Sequence, residues 1–295
     1  MAGLAVKIFG ARAVKVPQAA PAKEEFCPCD FTCNFRELVF ADPSGTEPHK
    51  RDFTDFLTRK ISASDTVEIQ LWKAGAQVAV LNDDTYGTFY NGFAAQPNYV
   101  GFLLNWSKVF TAFSGGTYQV KIATTILGQS STFVSRLFSL NMFDERLAND
   151  TIKLESYQTG NIIASEFDYT DLLDGGWYSS IRLPGVFRQV APQVEVDDYI
   201  NTAYQNVQNR TKVFKEYEAQ FRSVPESIQD VIISKDIIGN SILITDYRLF
   251  ADQIFRRLPV KLEGIGELNN LSNGKVNFSV TFRDRTEDII KENFS

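Results

Sequence analysis

The chain is poor in the residues that most enzymes use for chemistry. It has one histidine, His49, and three cysteines confined to seven residues: Cys27, Cys29 and Cys33. Ser–His–Asp and Cys–His machines need an imidazole held by a rigid element. His49 lies in Asp42-Pro-Ser-Gly-Thr-Glu-Pro-His49, a loop rich in proline and glycine, so imidazole-based hydrolysis is not expected. Carboxylate chemistry stays open. No GxxxxGK[ST] or GxGxxG phosphate loop occurs. No apolar run approaches the roughly 18 residues of a membrane span.

Basic charge is also scarce. The net charge is −6, and the densest basic spots are His49-Lys-Arg51 and Arg256-Arg257. An acidic chain repels nucleic acid and anionic membranes unless a basic patch compensates. Neither partner is expected, and no cofactor is expected. The first 21 residues interleave apolar and basic side chains (Leu4, Val6, Lys7, Ile8, Phe9, Arg12, Val14, Lys15). A signal peptide instead puts a basic region before a continuous apolar one, so the chain is expected to stay in the cytoplasm where it is made.

What the chain has in quantity is aromatics: 24 Phe and 11 Tyr. Such residues suit half-buried pleated surfaces and protein interfaces. With 44% hydrophobic residues over 295 positions, two domains can each bury a core. The pattern reads as mainly β with a few short helices. Two β-sandwich or barrel-like domains, 33–149 and 150–295, follow an extended N-terminal arm, 1–32.

Thr66–Trp72 alternates cleanly, with Val67, Ile69 and Leu71 on one face. Lys73-Ala-Gly-Ala76 is a turn, and Gln77–Leu81 returns as the hairpin partner. Ser107–Phe113 reads as a short helix with Ser107 as N-cap. Tyr118–Thr125 and Thr132–Leu140 form a hairpin across Gly128. In the second half, Thr151–Tyr157, Ile162–Phe167, Tyr178–Leu183, Val213–Phe221, Ser241–Tyr247, Pro259–Gly264 and Val276–Phe282 read as strands. Pro184-Gly185 and Pro192 punctuate them, and a short helix opens at Ser223-Val-Pro225 and ends at Gly239-Asn240. The tail Arg285–Ser295 is charged and is expected to fray.

Each candidate site has a plain counterpart. Cys27, Cys29 and Cys33 could share a metal, with His49 or a neighbouring subunit as fourth ligand, or form a disulfide. Free thiols are the simpler reading, because cytoplasmic synthesis keeps thiols reduced. Asn82-Asp-Asp84 could hold calcium, but it lacks the EF-hand spacing and turn chemistry explains it better. Asp83-Asp84, Asp144-Glu145 and Asp197-Asp198 are adjacent in sequence, whereas paired catalytic carboxylates come from separate places in a fold. Trp72, Trp106 and Trp177 could stack sugars or simply fill cores. The arm is a tail or a strap that orders on a neighbour. Leu4, Val6, Ile8, Phe9, Val14 and Val16 favour the strap and are the expected subunit contacts.

Several segments together resemble a known group: Asp65–Trp72, Leu81–Tyr90, Gly101–Val109, Gly115–Ile122, Thr151–Gln158, Ile242–Tyr247 and Leu258–Gly264. Over residues 35–290 they are similar to structural proteins of tailed bacteriophages and prophages of Bacteroidota hosts. The cysteine-rich segment is outside that pattern. The resemblance implies a non-enzymatic virion subunit of the tail, baseplate or neck, assembling into a ring or sleeve. Its implied partners are copies of itself and other virion proteins. The alternative is a β-sandwich module that binds a host-surface glycan or receptor, and a third is a carboxylate enzyme acting on cell-wall polymers.

Overall fold

A computed structural model describes residues 14–16, 36–45, 47–93, 96–158, 177–190, 193–200, 206–233, 241–248, 256–271 and 274–292. The fold is mainly β: a two-sheet sandwich followed by a closed barrel.

The sandwich is made by the strands β1 (Val14–Val16), β2 (Arg36–Ala41), β3 (Phe53–Arg59), β4 (Thr66–Lys73), β5 (Ala76–Val80), β6 (Gly87–Phe93), β7 (Gln96–Asn105), β8 (Gly116–Ile126) and β9 (Gln129–Met142). One sheet runs β9-β8-β4-β5, with β1 and β2 following one another along the outer edge of β9. The other runs β3-β7-β6. Alternation builds the core: β4 buries Val67, Ile69 and Leu71, and these meet Phe56, Val100, Phe102 and Leu104 from the facing sheet. Two tight hairpins close on left-handed pairs, Ala74-Gly75 and Leu127-Gly128, which match the twist of the flanking strands.

Helix α1 (Trp106–Phe113) plugs one end of the sandwich with Trp106 and Val109. Its N-cap is Asn105, whose side chain accepts from the Ser107 and Lys108 amides. Ser107 therefore does not cap the helix; its hydroxyl accepts from the Asp42 amide at 2.9 Å. A one-turn helix, α2 (Glu145–Ala148), capped by Asp144, leads into the barrel.

The barrel strands are β10 (Thr151–Gln158), β11 (Trp177–Gln189), β13 (Asn206–Pro225), β14 (Ser241–Asp246), β15 (Arg256–Asn270) and β16 (Lys275–Glu292), with β12 (Gln193–Ile200) added outside on β13. The order β11-β10-β14-β15-β16-β13 closes because β13 returns to β11. Pro184-Gly185 does not end β11. It is where the strand changes partner, from β10 up to Pro184 to β13 from Gly185 onward. A side chain at Gly185 would place its Cβ 2.6 Å from the Gln220 carbonyl oxygen, so only glycine allows this crossing. The core holds Ile152, Leu154, Ile181, Tyr217, Phe221, Ile244, Phe278, Val280 and Phe282.

Helix α3 (Glu226–Val231) starts after Pro225 as the sequence suggests and passes into a π-helical turn at Ile232–Ile233; its expected end at Gly239-Asn240 lies outside the described residues. The charged tail does not fray at Arg285: β16 runs to Glu292, pairing Asp288–Glu292 with Arg210–Phe214. The expected strand Ile162–Phe167 and the cysteines lie outside the described residues.

Candidate functional site

The sandwich and barrel meet through charge. Asp52, just before β3, receives two hydrogen bonds of 3.0 Å from the Arg182 guanidinium on β11. The Phe40 amide donates to the same carboxylate at 2.8 Å. Arg182 also reaches the Tyr247 hydroxyl at 3.0 Å and the Thr151 hydroxyl at 3.3 Å. Its guanidinium lies 4.7 Å from the ring centres of both Phe40 and Tyr247. A planar ion can satisfy carboxylate, hydroxyl and ring together, which is why arginine suits this place.

Beside it, Lys153 on β10 donates to the Pro48 and Arg51 carbonyls at 3.0 and 2.7 Å. It also lies 3.4 Å from Asp52 and 3.5 Å from Glu155. Arg257 on β15 holds Glu155 through contacts of 3.0 and 3.1 Å, and the Tyr178 hydroxyl donates to Glu155 at 2.8 Å. Farther along, Asp55 on β3 accepts from the Trp177 indole at 2.7 Å and the Ser179 hydroxyl at 3.0 Å. Arg136 on β9 pairs with Glu37 on β2, and Glu37 also accepts from the Arg182 amide.

Nearly all of this is removed from water: Lys153 is 0% exposed, Arg182 and Glu155 1%, Asp52 2%. Burial raises the Asp52 carboxyl, but the Arg182 and Lys153 charges outweigh it and hold the group below its usual value. Burial also opposes ionisation of Glu155, and Lys153 and Arg257 again prevail. Lys153 is lowered by burial, with Glu155 and Asp52 offsetting part of that. Arg182 is lowered by burial and raised more by Asp52, so it stays charged. Carboxylates held ionised in this way have no proton to give near neutral pH. The cluster is built to hold two bodies in one orientation, since buried charges accept partners only in a fixed geometry.

The residues singled out from sequence fall elsewhere. His49 sits in the 3-10 turn Pro48–Lys50, 5% exposed, against the Phe143 and Tyr247 rings, with its Nε2 3.2 Å from Glu47. Burial lowers its pKa to about 4. Among the described residues, no group of three or more His, Cys, Asp or Glu side chains is placed to hold a metal. Asn82 ties β4 through the Ile69 amide and the Val67 carbonyl. Asp83 and Asp84 accept from the Thr85 and Phe89 amides at 2.9 and 2.7 Å, which is turn chemistry. Trp106 and Trp177 are buried, and the Trp72 ring is covered by the Lys121 ammonium at 3.5 Å. Val14–Val16 pairs with Val134–Thr132 of its own β9. Leu4, Val6, Ile8 and Phe9 lie outside the described residues.

Sequence reading missed Asp52, Lys153, Glu155 and Arg182. In Thr151–Tyr157 the charges occupy alternate positions and imitate a wet face, yet β10 is buried on both faces from Thr151 to Ser156. The available signal was a lysine and a glutamate two apart in a strand otherwise built of core residues.

A second feature is the open edge of β15. Its partner β14 reaches only Val260, while β15 continues to Asn270. The extension keeps β16 on one side. Among the described residues no strand pairs with its other side. Ile265 and Leu268 on it are each 49% exposed. No protein-family model, curated protein or solved structure matches this chain, so its own residues carry the functional reading.

Proposed function

We propose that the protein is a non-enzymatic structural subunit that assembles with copies of itself into a ring or sleeve. The sequence resemblance puts that assembly in the virion of a tailed phage, at the tail, baseplate or neck. The observation that carries the reading is the length and openness of the barrel hairpin. β15 and β16 have 15 and 18 residues, against about 5–6 for a usual strand, and among the described residues the outer half of β15 has no second partner strand. An open strand edge is a template for another chain, and soluble monomers normally blunt or cover it.

The ionic junction supports the same reading. A subunit that carries load between neighbours needs its two bodies fixed, and Asp52, Arg182, Lys153 and Glu155 are committed to that. Less favours the glycan-binding alternative: Trp106 and Trp177 are buried, and the Lys121 ammonium lies over the Trp72 ring. Negative-stain microscopy of the purified full chain tests the proposal. Closed particles with a countable number of subunits are expected, and a persistent monomer would overturn it.

A further inference from the structure

We propose that the open edge of β15, Lys261–Asn270, is the acceptor for residues Leu4–Phe9 of a neighbouring copy, which add to it as a strand. This rests on the assembly reading above and names the contact through which it works.

Among the described residues the edge is unfinished on its apolar side. Cross-strand partners point to the same face of a sheet. Ile265 pairs with Val280 and Leu268 with Phe278, so each pair shares a face of the sheet. Val280 and Phe278 are buried, at 0% and 3%, whereas Ile265 and Leu268 are 49% exposed. The described pairing with β14 ends at Ile242, opposite Val260, and among the described residues nothing continues the wall beyond it. One more strand on β15 would extend the sheet and cover both side chains. The exposed edge of β5 is shorter and offers only Val80.

The arm has the matching pattern. Leu4, Val6 and Ile8 fall at every second position, which puts three apolar side chains on one face of a strand. Its charge also fits. The arm carries Lys7, Arg12 and Lys15 and has no acidic residue before Glu24, while Lys261–Asn270 has two glutamates against one lysine.

Cysteine pairing tests this in a background carrying Cys27→Ser, Cys29→Ser and Cys33→Ser. Proteins with Val6→Cys and with Ile265→Cys are made separately, mixed and treated with a mild thiol oxidant. A disulfide-linked pair of chains is expected from the mixture, and none when Val80→Cys replaces Ile265→Cys. In the otherwise natural chain, Ile265→Glu with Leu268→Glu, and separately Leu4→Ser with Val6→Ser and Ile8→Ser, should each weaken assembly at least tenfold. These changes lie on exposed or arm positions, and this second measurement stands even if the cysteine-free background fails to assemble. Oligomers that form normally in both variants overturn the inference and leave the assembly reading intact. A single chain with both cysteines that closes only on itself also overturns it. A natural chain that is monomeric at every concentration overturns both.

Discussion

Arg182 of the barrel grips Asp52 of the sandwich with two 3.0 Å hydrogen bonds, and both residues are almost wholly buried. The pair is a lock more than a source of stability. Desolvating two ions offsets much of their attraction, but removing one partner leaves an uncompensated charge inside. Asp52→Ala should therefore cost about 3–5 kcal/mol. Replacing both residues with apolar ones, Asp52→Leu with Arg182→Met, should recover much of that loss. Urea unfolding of the three proteins checks it; a double variant as weak as the single would contradict the lock.

His49 gives the junction a pH dependence. Its ordinary pKa of 6.5 is lowered to about 4, burial outweighing the nearby Glu47 carboxylate. Between those values the unfolded chain binds a proton that the native chain refuses. The contribution to stability is thus complete above pH 6.5 and declines as pH falls toward 4. Asp52 and Glu155, also lowered, add losses of the same sign at still lower pH. His49→Gln should flatten the decline between pH 6.5 and 4.5 in urea midpoints, and an unchanged slope would rule His49 out as its source.

The partner change of β11 depends on Gly185. A Cβ there would sit 2.6 Å from a backbone oxygen, which cannot swing aside as a side chain could. Gly185→Ala should destabilise by about 1–3 kcal/mol, the usual cost of overpacking. Gly128→Ala, at a left-handed turn with open space around it, should cost less, since only backbone strain is involved. Thermal unfolding ranks the two, and the reverse order would contradict the crossing.

Helix α1 separates two roles that the sequence merges. Asn105→Ala removes the cap from the Ser107 and Lys108 amides and should cost about 1 kcal/mol. Ser107→Ala should leave the helix intact and loosen Asp42, whose amide then loses its acceptor. Amide exchange at Lys108 and Asp42 tells them apart: each variant should raise exchange at one site only.

The contrast between β4 and β10 explains what could be read from sequence. β4 has one wet face, so Val67, Ile69 and Leu71 stand out against Thr66, Glu68 and Gln70. β10 has the same rhythm, but its polar face is covered by the sandwich, and only the fold brings Asp52 and Arg257 to Lys153 and Glu155. Pro184-Gly185 carries the composition of a break yet serves as a barrel corner, because its strand neighbours come from distant segments. The mainly β class was legible because it depends on local alternation. The junction was not, because it depends on partners far apart in the chain.

Sedimentation velocity of the full chain across a wide concentration series shows whether copies of the chain associate. A discrete species at a fixed whole-number multiple of the chain mass is expected, gaining population as concentration rises. Sedimentation at the mass of a single chain throughout the series would contradict it.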